Sequence, residues 1–296
     1  MMLRLDGVTK VFRTGVFGRA AFTAVSDVTF HVEQGEIVSL IGESGSGKTT
    51  VGRMVLRLTR ATEGAVTVDG RDVAELGRTD VRTYYGSVQG IFQDPFSSYN
   101  PVFKVDRVLG MIRANYLPGL SDAEWKTKVR GSLEAVGLEP ADVLGKYPHQ
   151  LSGGQLQRLL IARALMLELR FLVADEIISM LDASTRIDVL NLLGDLKARG
   201  LGVLFVTHDL ALGNYISDRT VILRRGRIVE MGATPKVFGS PAHPYTRMLL
   251  TSVPHLSAKW GEDAIEAPTP ASLEEAPDGP LQRIDDDHFV ATRGER

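Results

Sequence analysis

Residues Gly42 to Thr49, GESGSGKT, have the types and spacing of a phosphate-binding loop. They follow a short apolar run, EIVSLIG, and precede KTTVGRMVLRL, whose apolar residues recur at helical spacing. Glycines let backbone N–H groups point at phosphate oxygens, and the helix N-terminus adds a positive dipole. In such loops the lysine, here Lys48, reaches the β- and γ-phosphates, and the Thr49 hydroxyl ligates Mg²⁺. The pattern predicts ATP or GTP binding, against the alternative of a glycine turn without a ligand.

Two carboxylates end a second apolar run, FLVADE. An acid in that position could be a helix cap, but beside a phosphate loop Asp175 is better interpreted as a second-shell Mg²⁺ ligand. Glu176 is then the base that polarises the attacking water. VLFVTHD repeats the layout with His208, which is either a γ-phosphate contact or a structural histidine.

A second glycine-containing segment, YPHQLSGGQLQR, covers residues 147–158. Ser152 and the two glycines after it look like the opening of a helix that runs through Leu159 and Leu160. Two glycines there cost about 1 kcal/mol each relative to alanine. The residue types alone leave the purpose of this second segment open.

The bulk composition is that of a globular protein and excludes several classes of site. The chain has 296 residues, 44% hydrophobic and 24% charged, with a net charge of −2, so no global basic field favours nucleic acid. It contains no cysteine, which excludes disulfides, thiolate metal sites and cysteine-held iron–sulfur clusters.

The sequence also predicts no targeting segment and no membrane-spanning segment. The first residues, MMLRLDGVTK, lack the apolar run of a secretory signal. Charged residues interrupt the most apolar stretch, LLIARALMLELRFLVADEIISML, so it is not expected to span a membrane. Any membrane role must therefore come through a partner.

Hydrophobic periodicity predicts the elements that hold these residues. Strands are expected at residues 3–7 and 22–33 and at GAVTVDG, and mostly helical segments at about 100–165. FLVAD and GVLFVTH flank a helical RIDVLNLLGDLKARG, and this β–α–β order predicts a parallel sheet. DRTVILRRGRIVE predicts a hairpin turning at Arg225-Gly226. Beyond residue 255 the chain is proline-rich and acidic, and is expected to be loosely ordered.

Together these motifs resemble the ATP-binding subunit of ABC transporters, over residues 1 to about 255. GESGSGKT is similar to the Walker A motif, LSGGQ to the family signature, FLVADE to Walker B and SMLD to the D-loop. The resemblance implies an α/β fold: a P-loop NTPase (RecA-like) core, an antiparallel β subdomain and an inserted α-helical subdomain at about residues 94–165. Residues 256–296 would then be a short extension.

The resemblance also implies roles for individual residues. The catalytic residues would be Glu176, His208 (the switch histidine) and Lys48. The residues that hold Mg²⁺ would be Thr49, Gln93 (the Q-loop glutamine) and Asp175. Phe12 would stack on adenine, a core phenylalanine being the alternative. The full set of implied nucleotide contacts is Phe12, Gly42, Glu43, Ser44, Gly45, Ser46, Gly47, Lys48, Thr49, Thr50, Gln93, Ser152, Gly153, Gly154, Gln155 and Asp182.

The resemblance supplies a purpose for the second glycine segment. In this family two subunits sandwich two ATP molecules head to tail, so Ser152 and the following N–H groups would bind the γ-phosphate of ATP held by the partner subunit. Glycine suits that position because backbone must approach phosphate closely.

Four further segments narrow the resemblance to the oligopeptide/dipeptide importer branch: RTGVFGRAAFTAV, IFQDPFSSYNP, YPHQLSGGQ and HPYTRMLLTSVP. This implies an ATP-hydrolysing subunit, peripheral on the cytoplasmic face of the cell membrane. Its partners would be a second, related or identical ATPase subunit, transmembrane permease subunits and, indirectly, an extracytoplasmic solute-binding protein; no nucleic acid is expected. Oligosaccharide and nickel importers belong to the same branch.

The chain departs from the family pattern at several positions. DEIISMLD replaces the usual DEPTSALD, so Ile177, Ile178 and Met180 alter the D-loop region, and Leu156 stands where arginine is common. Many members of this branch carry a cysteine-rich tail that resembles an iron–sulfur site. The tail of this chain has no cysteine, so no iron–sulfur cluster is expected. Two alternatives stay open: a mainly structural subunit that donates its signature to a catalytic partner, and a soluble ABC-type ATPase outside transport.

Overall fold

The computed structural model describes residues 2–14, 20–252 and 269–293, and every structural statement below refers to these. Residues 15–19 of RTGVFGRAAFTAV, the end of HPYTRMLLTSVP and the tail segments 255–268 and 294–296 lie outside them. The strands are β1 Met2–Thr14, β2 Ala20–Glu33, β3 Ile37–Ile41, β4 Glu63–Val68, β5 Arg71–Asp72, β6 Val88–Ile91, β7 Phe171–Asp175, β8 Gly202–Thr207, β9 Arg219–Arg224, β10 Arg227–Ala233, β11 Leu281–Asp285 and β12 His288–Ala291.

The helices are α1 Lys48–Val55, α2 Arg78–Ser87, α3 Asp106–Tyr116, α4 Asp122–Glu134, α5 Pro140–Val143, α6 Gly153–Leu165, α7 Ala183–Ala198, α8 Leu210–Ile216, α9 Thr234–Gly239, α10 Pro244–Thr251 and α11 Pro270–Glu274. None of the helices in the described ranges is long and apolar enough to span a bilayer. The chain divides into two compact units, one of residues 1–75 with 203–296 and the other of residues 76–202.

The first unit contains an antiparallel sheet and a mixed one. The antiparallel sheet has the order β2-β1-β4-β5, and alternation along β2 buries Val28, Phe30 and Val32. In the other sheet β3 pairs in parallel with both β8 and β9. Every residue of β3 and β8 is buried, as expected for parallel strands covered on both faces. The strand predictions for these segments are confirmed.

The hairpin predicted for DRTVILRRGRIVE is confirmed as well. Arg224 pairs with Arg227 across a two-residue turn, and β9 and β10 are antiparallel. Arg225 and Gly226 have φ of 48° and 82°, the two positive values that a type I′ hairpin turn requires.

The second unit combines a parallel pair, β6 and β7, with helices α2 to α7. Helices α3 and α4 occupy the segments predicted to be helical. Ser121 begins α4 with a capping box: its Oγ accepts from the Glu124 N–H at 3.3 Å, and the Glu124 carboxylate accepts from the Ser121 N–H at 2.9 Å. The boundaries of the inserted subdomain, 94–165, remain a prediction.

The carboxy-terminal segment differs from the expectation of loose order. Within residues 269–293, α11 is followed by a β11–β12 hairpin, and β12 pairs with β10, adding two strands to the sheet of the first unit. Ala276 and Ala291 are buried, so the segment contributes to the packed interior despite its acidic, proline-rich composition. The expectation is therefore wrong for these residues.

A buried carboxylate fixes this segment. The Glu230 side chain accepts hydrogen bonds from the N–H groups of Ala242 and His243 at 2.8 and 2.9 Å, and its Oε1 lies 2.7 Å from Nε2 of His288. A buried charge is tolerated only where such partners replace water. Residues far apart in the chain thus meet at one carboxylate.

His243 adds a second connection to the same segment. Its Nδ1 accepts the Tyr245 N–H at 3.0 Å, and its Nε2 donates to the Pro277 carbonyl at 2.8 Å. Only a neutral imidazole satisfies both contacts, because protonated Nδ1 cannot accept. Burial lowers the pKa of His243 below its usual value, although Pro277 and Glu230 oppose that shift.

We therefore expect the protein to lose stability as the pH falls below about 6.5, the pKa of an unfolded histidine. The unfolded imidazole then binds a proton that the folded one, with its depressed pKa, does not, so the free energy of unfolding decreases toward lower pH. The check is urea unfolding at pH 7.5 and 5.5 for the parent, His243→Gln and the exposed control His149→Gln. The loss between the two pH values should shrink only in His243→Gln, and an unchanged loss there contradicts the assignment.

Candidate functional site

The loop GESGSGKT joins β3 to α1 as predicted. Gly47 precedes the helix with φ of 107°, and Gly45 has φ of 80°, values that side-chain-bearing residues rarely adopt. Glu43, Ser44 and Gly45 are exposed, as is Thr49 in the first turn of α1, and Thr50 is half-buried. The loop therefore presents backbone and hydroxyl groups to solvent at a helix N-terminus, the arrangement that binds anions.

Neighbouring strands hold the loop from behind. A Cβ atom on Gly42 would lie 2.2 Å from the Leu223 carbonyl oxygen, and one on Gly47 would lie 2.5 Å from that of Ala24. The Gly226 N–H, in the hairpin turn, donates to the Ser46 carbonyl at 2.9 Å. Close contact thus requires glycine at Gly42 and Gly47, and at Gly47 the positive φ requires it as well.

Lys48 is buried, and its ammonium group lies within the loop. Nζ donates to the carbonyls of Gly42 and Glu43 at 2.7 and 2.8 Å. Beside it, the buried Ser46 Oγ has no hydrogen-bond partner among the described residues. A buried hydroxyl without a partner is unfavourable, which fits a polar ligand in this loop.

Two exposed phenylalanines lie on the antiparallel sheet of the same unit. Phe12 on β1 is 38% exposed, which argues against the core alternative, and Lys10 Nζ lies 5.0 Å from its ring centroid. Phe22, 59% exposed, pairs with Phe12 across the β1–β2 ladder. Sequence analysis missed Phe22, although its place in an amphipathic strand was available as a signal. A flat base could stack on either ring.

His208 follows β8 directly and is exposed. The next residue, Asp209, caps α8 by accepting the Leu212 N–H at 3.2 Å, and its own N–H donates to Thr207 Oγ1 at 3.0 Å. These contacts fix the backbone on both sides of His208 at the carboxyl end of the strand.

In the second unit, three of the predicted residues follow two paired strands. Gln93 comes two residues after β6, and Asp175 and Glu176 end or follow β7. Ile91 pairs with Ala174 in parallel register, so these residues share one edge of the pair. Asp175 is buried and Gln93 is exposed.

Glu176 has φ of 52°, in the left-handed region. A non-glycine residue there costs about 1–3 kcal/mol and is typical of functional sites. Because of this backbone conformation, the Glu176 side chain leaves the chain in a different direction from that of a residue continuing β7.

The signature segment begins α6. Ser152 Oγ accepts from the Gln155 N–H at 3.2 Å, and Gln155 Oε1 accepts from the Ser152 N–H at 2.9 Å, a second capping box. Gly153 and Gly154 form the first turn, where helix N–H groups have no intrahelical acceptor. The predicted helix opening is confirmed, and its first turn can bind an anion.

The unusual residues of the D-loop region lie in different environments. Ile177 and Ile178 are buried, whereas Met180 is 47% exposed and its sulfur would lie 3.7 Å from a Cβ on Gly153. Asp182 caps α7, and the Thr185 backbone N–H, followed by the Ser184 and Thr185 hydroxyls, lowers its pKa well below the usual range. Its carboxylate is therefore engaged in the cap.

The structure thus groups the predicted residues in two sets. The first unit holds Phe12, Gly42, Glu43, Ser44, Gly45, Ser46, Gly47, Lys48, Thr49, Thr50 and His208, and the second holds Gln93, Ser152, Gly153, Gly154, Gln155, Asp175, Glu176 and Asp182. Across the described residues, no three His, Asp or Glu side chains are arranged as a metal site.

Comparison with known proteins relates this arrangement to two families. Residues 25–179 match the ABC transporter family model, and residues 229–280 match the C-terminal region of oligopeptide/dipeptide transporters. A putative peptide import ATP-binding protein of Brucella ovis is 44% identical over 255 residues, 86% of this chain and 78% of the relative. The oligopeptide transport ATP-binding protein OppF of Streptococcus pyogenes serotype M1 is 41% identical over 239 residues, 80% of this chain and 78% of the relative.

Solved structures show the same fold. A dimeric ATP-binding cassette in a post-hydrolysis state with ADP and Pi superposes with a TM-score of 0.71 at 28% identity, covering 79% of this chain and 99% of that one. A structure titled as a dimeric bacterial ABC transporter cassette gives the same values. The ABC ATPase fold expected from the sequence is confirmed.

We expect Gly42→Ala to weaken nucleotide binding about tenfold or more, because overpacking of this kind costs about 1–3 kcal/mol. The new methyl group would collide with the Leu223 carbonyl and displace the loop. Titration with trinitrophenyl-ATP measures the effect. Gly239→Ala, at a helix end with open space around it, is the control and should bind like the parent. If Gly42→Ala binds trinitrophenyl-ATP as tightly as Gly239→Ala does, the loop tolerates the displacement and the prediction is wrong.

Proposed function

The chain belongs to the ABC transporter family, and from this membership we propose that it is the ATP-hydrolysing subunit of a membrane importer for oligopeptides or dipeptides. The observation that carries the proposal is the presence of a glycine phosphate loop and an exposed LSGGQ helix start in one chain whose residues 229–280 match the peptide-importer region. The relatives named above are peptide-import or oligopeptide-transport ATP-binding proteins.

A second ATPase subunit completes each nucleotide site in this proposal. The Gly153 and Gly154 N–H groups are available at the start of α6, and the similar solved cassettes are dimers. Ser152 and these N–H groups would contact the γ-phosphate of ATP bound to the partner's phosphate loop. The partner is a related or identical chain.

Within this chain the loop binds the phosphates of ATP. Backbone N–H groups of the loop after Glu43 surround the β- and γ-phosphates, and Lys48 turns from the Gly42 and Glu43 carbonyls to phosphate oxygens. Ser46 Oγ gains the hydrogen-bond partner it lacks among the described residues. Phe12 stacks on adenine, with Phe22 beside it.

Thr49, Gln93 and Asp175 are the proposed Mg²⁺ residues. They offer hydroxyl, amide and carboxylate oxygens, the donor types that Mg²⁺ prefers. When bound with the triphosphate, Mg²⁺ would supply positive charge that stabilises the negative charge on the phosphate oxygens. Gln93, exposed on the segment after β6, would report the presence of the γ-phosphate.

Glu176 and His208 are the proposed hydrolytic residues. Glu176 accepts a proton from the water that attacks the γ-phosphorus, while the bond to the β–γ bridging oxygen breaks and ADP leaves. His208 contacts the γ-phosphate, and Asp182 supports the site through the start of α7. Binding and loss of the γ-phosphate then shift the population between closed and open dimers.

Transport requires partners in the membrane. Permease subunits receive the motion of the ATPase pair at the cytoplasmic face, and an extracytoplasmic binding protein delivers the solute to them. The position of this subunit is peripheral, because no helix in the described ranges can span a bilayer and its family couples to membrane subunits.

Glu176→Gln should reduce ATP turnover at least about a hundredfold, as loss of a general base does, with trinitrophenyl-ATP affinity unchanged. Phosphate release is measured for the chain alone and with its partner subunit, and exposed Glu168→Gln is the control. Undiminished turnover would remove Glu176 from its role. No turnover in the parent with any partner would favour the signature-donating structural subunit.

Ser152→Ala and Ser121→Ala separate capping from catalysis. Each removes the serine of a capping box in the same unit, so each should lower the free energy of unfolding by about 0.5–2 kcal/mol. Only Ser152→Ala should also lower ATP turnover at the site of a partner subunit. If both variants reduce turnover equally, Ser152 acts through helix stability alone.

A further inference from the structure

We propose that Tyr245 is a positioning residue for the phosphate loop, through which the carboxy-terminal segment holds the nucleotide site in its binding shape. This rests on the proposed function, because it assumes that the loop binds ATP. Residues 229–280 match the peptide-importer region, but that match assigns no role to Tyr245.

Tyr245 contacts the loop directly. Its ring is 2% exposed, on α10, and its Oη accepts the Glu43 N–H at 3.0 Å. Lys48 Nζ binds the carbonyl of the same residue at 2.8 Å, so Glu43 is held at its N–H by one side chain and at its C=O by another. Because Lys48 must also bind the phosphates, Tyr245 is a contact that can hold Glu43 both with and without ATP.

Further contacts fix the position of the tyrosine. The Arg224 guanidinium lies 5.5 Å from its ring centroid and donates to the Leu273 carbonyl at 2.5 Å. Burial, the main cause, raises the pKa of Tyr245 to about 12, so the hydroxyl keeps its proton. A cavity of about 170 Å³ beside the tyrosine is lined by loop residues Ser44 and Gly45 and by Met248 and Leu273.

The start of α10 connects this group to the end of the chain. His243 accepts the Tyr245 N–H and donates to Pro277, and the Glu230 carboxylate binds both the His243 N–H and His288. A polar network therefore extends from β12 to Glu43. The loop is therefore already ordered before ATP binds. Because binding then loses less free energy to ordering, the affinity for ATP is higher.

Tyr245→Phe tests the assignment by removing only the hydroxyl. We expect it to raise the Kd for trinitrophenyl-ATP with Mg²⁺ and the KM for ATP about threefold to tenfold, the worth of one hydrogen bond. The kcat should stay within about twofold, because the hydroxyl does not touch the reacting atoms. The Tm without nucleotide should match the parent within about 4 °C.

Thr246→Val is the matched control. Thr246 is the next residue on α10, equally buried, and its hydroxyl has no hydrogen-bond partner among the described residues. It should leave Kd, KM and kcat at parent values. If Tyr245→Phe does not fold, Arg224→Lys takes its place, because it alters the contact between the Arg224 guanidinium and the Tyr245 ring. Kd, KM and kcat are then measured for Arg224→Lys.

The outcomes distinguish this inference from the proposed function. A parent chain that neither binds trinitrophenyl-ATP nor hydrolyses ATP with any partner overturns the proposed function and, with it, the inference. A parent that binds and hydrolyses normally beside a Tyr245→Phe variant with unchanged Kd and KM overturns the inference alone. A fall in kcat without a change in KM likewise contradicts a positioning role.

Discussion

The nucleotide site depends on the hydrogen bonds from Lys48 to the Gly42 and Glu43 carbonyls. An ammonium group removed from water needs such acceptors, and only a loop that curls around it can provide two of them at once. That curl requires glycine where the Leu223 and Ala24 carbonyls approach closely. The lysine, the glycines and the strands behind them therefore form one interdependent arrangement, which holds the positively charged group within the loop proposed to bind phosphate.

Local signals explain why much of the fold and site could be predicted from the sequence. Strands β3, β7 and β8 are mostly apolar and buried along their whole length, and the parallel sheet that such runs indicate is present. Ser152 and Gln155 have the spacing of a capping box, so the start of α6 follows from four consecutive residues. The Arg225-Gly226 turn likewise follows from a short stretch of chain.

Long-range contacts explain what the sequence did not reveal. The tail of the chain was expected to be loose because its composition is acidic and proline-rich. Within residues 269–293, however, the pairing of β12 with β10 and the buried pair Glu230–His288 join it to the sheet. Tyr245 and Glu43 are 202 positions apart, and no local pattern links them. Asp182 shows a local contact that the family motif did not reveal: three donors engage its carboxylate in a helix cap, while its predicted place at the nucleotide stays a prediction.

The hairpin at the end of the chain also determines how the sheet of the first unit terminates. Strand β10, Arg227–Ala233, pairs with β9 along one edge. Without β12, the backbone groups along its other edge would be unpaired and would form a template for edge-to-edge aggregation. Instead the outermost strand is β11, five residues long and almost entirely exposed, with Arg283 and Asp285 among its side chains. A short, charged margin of this kind discourages adhesion between copies, so the segment protects solubility while it completes the interior.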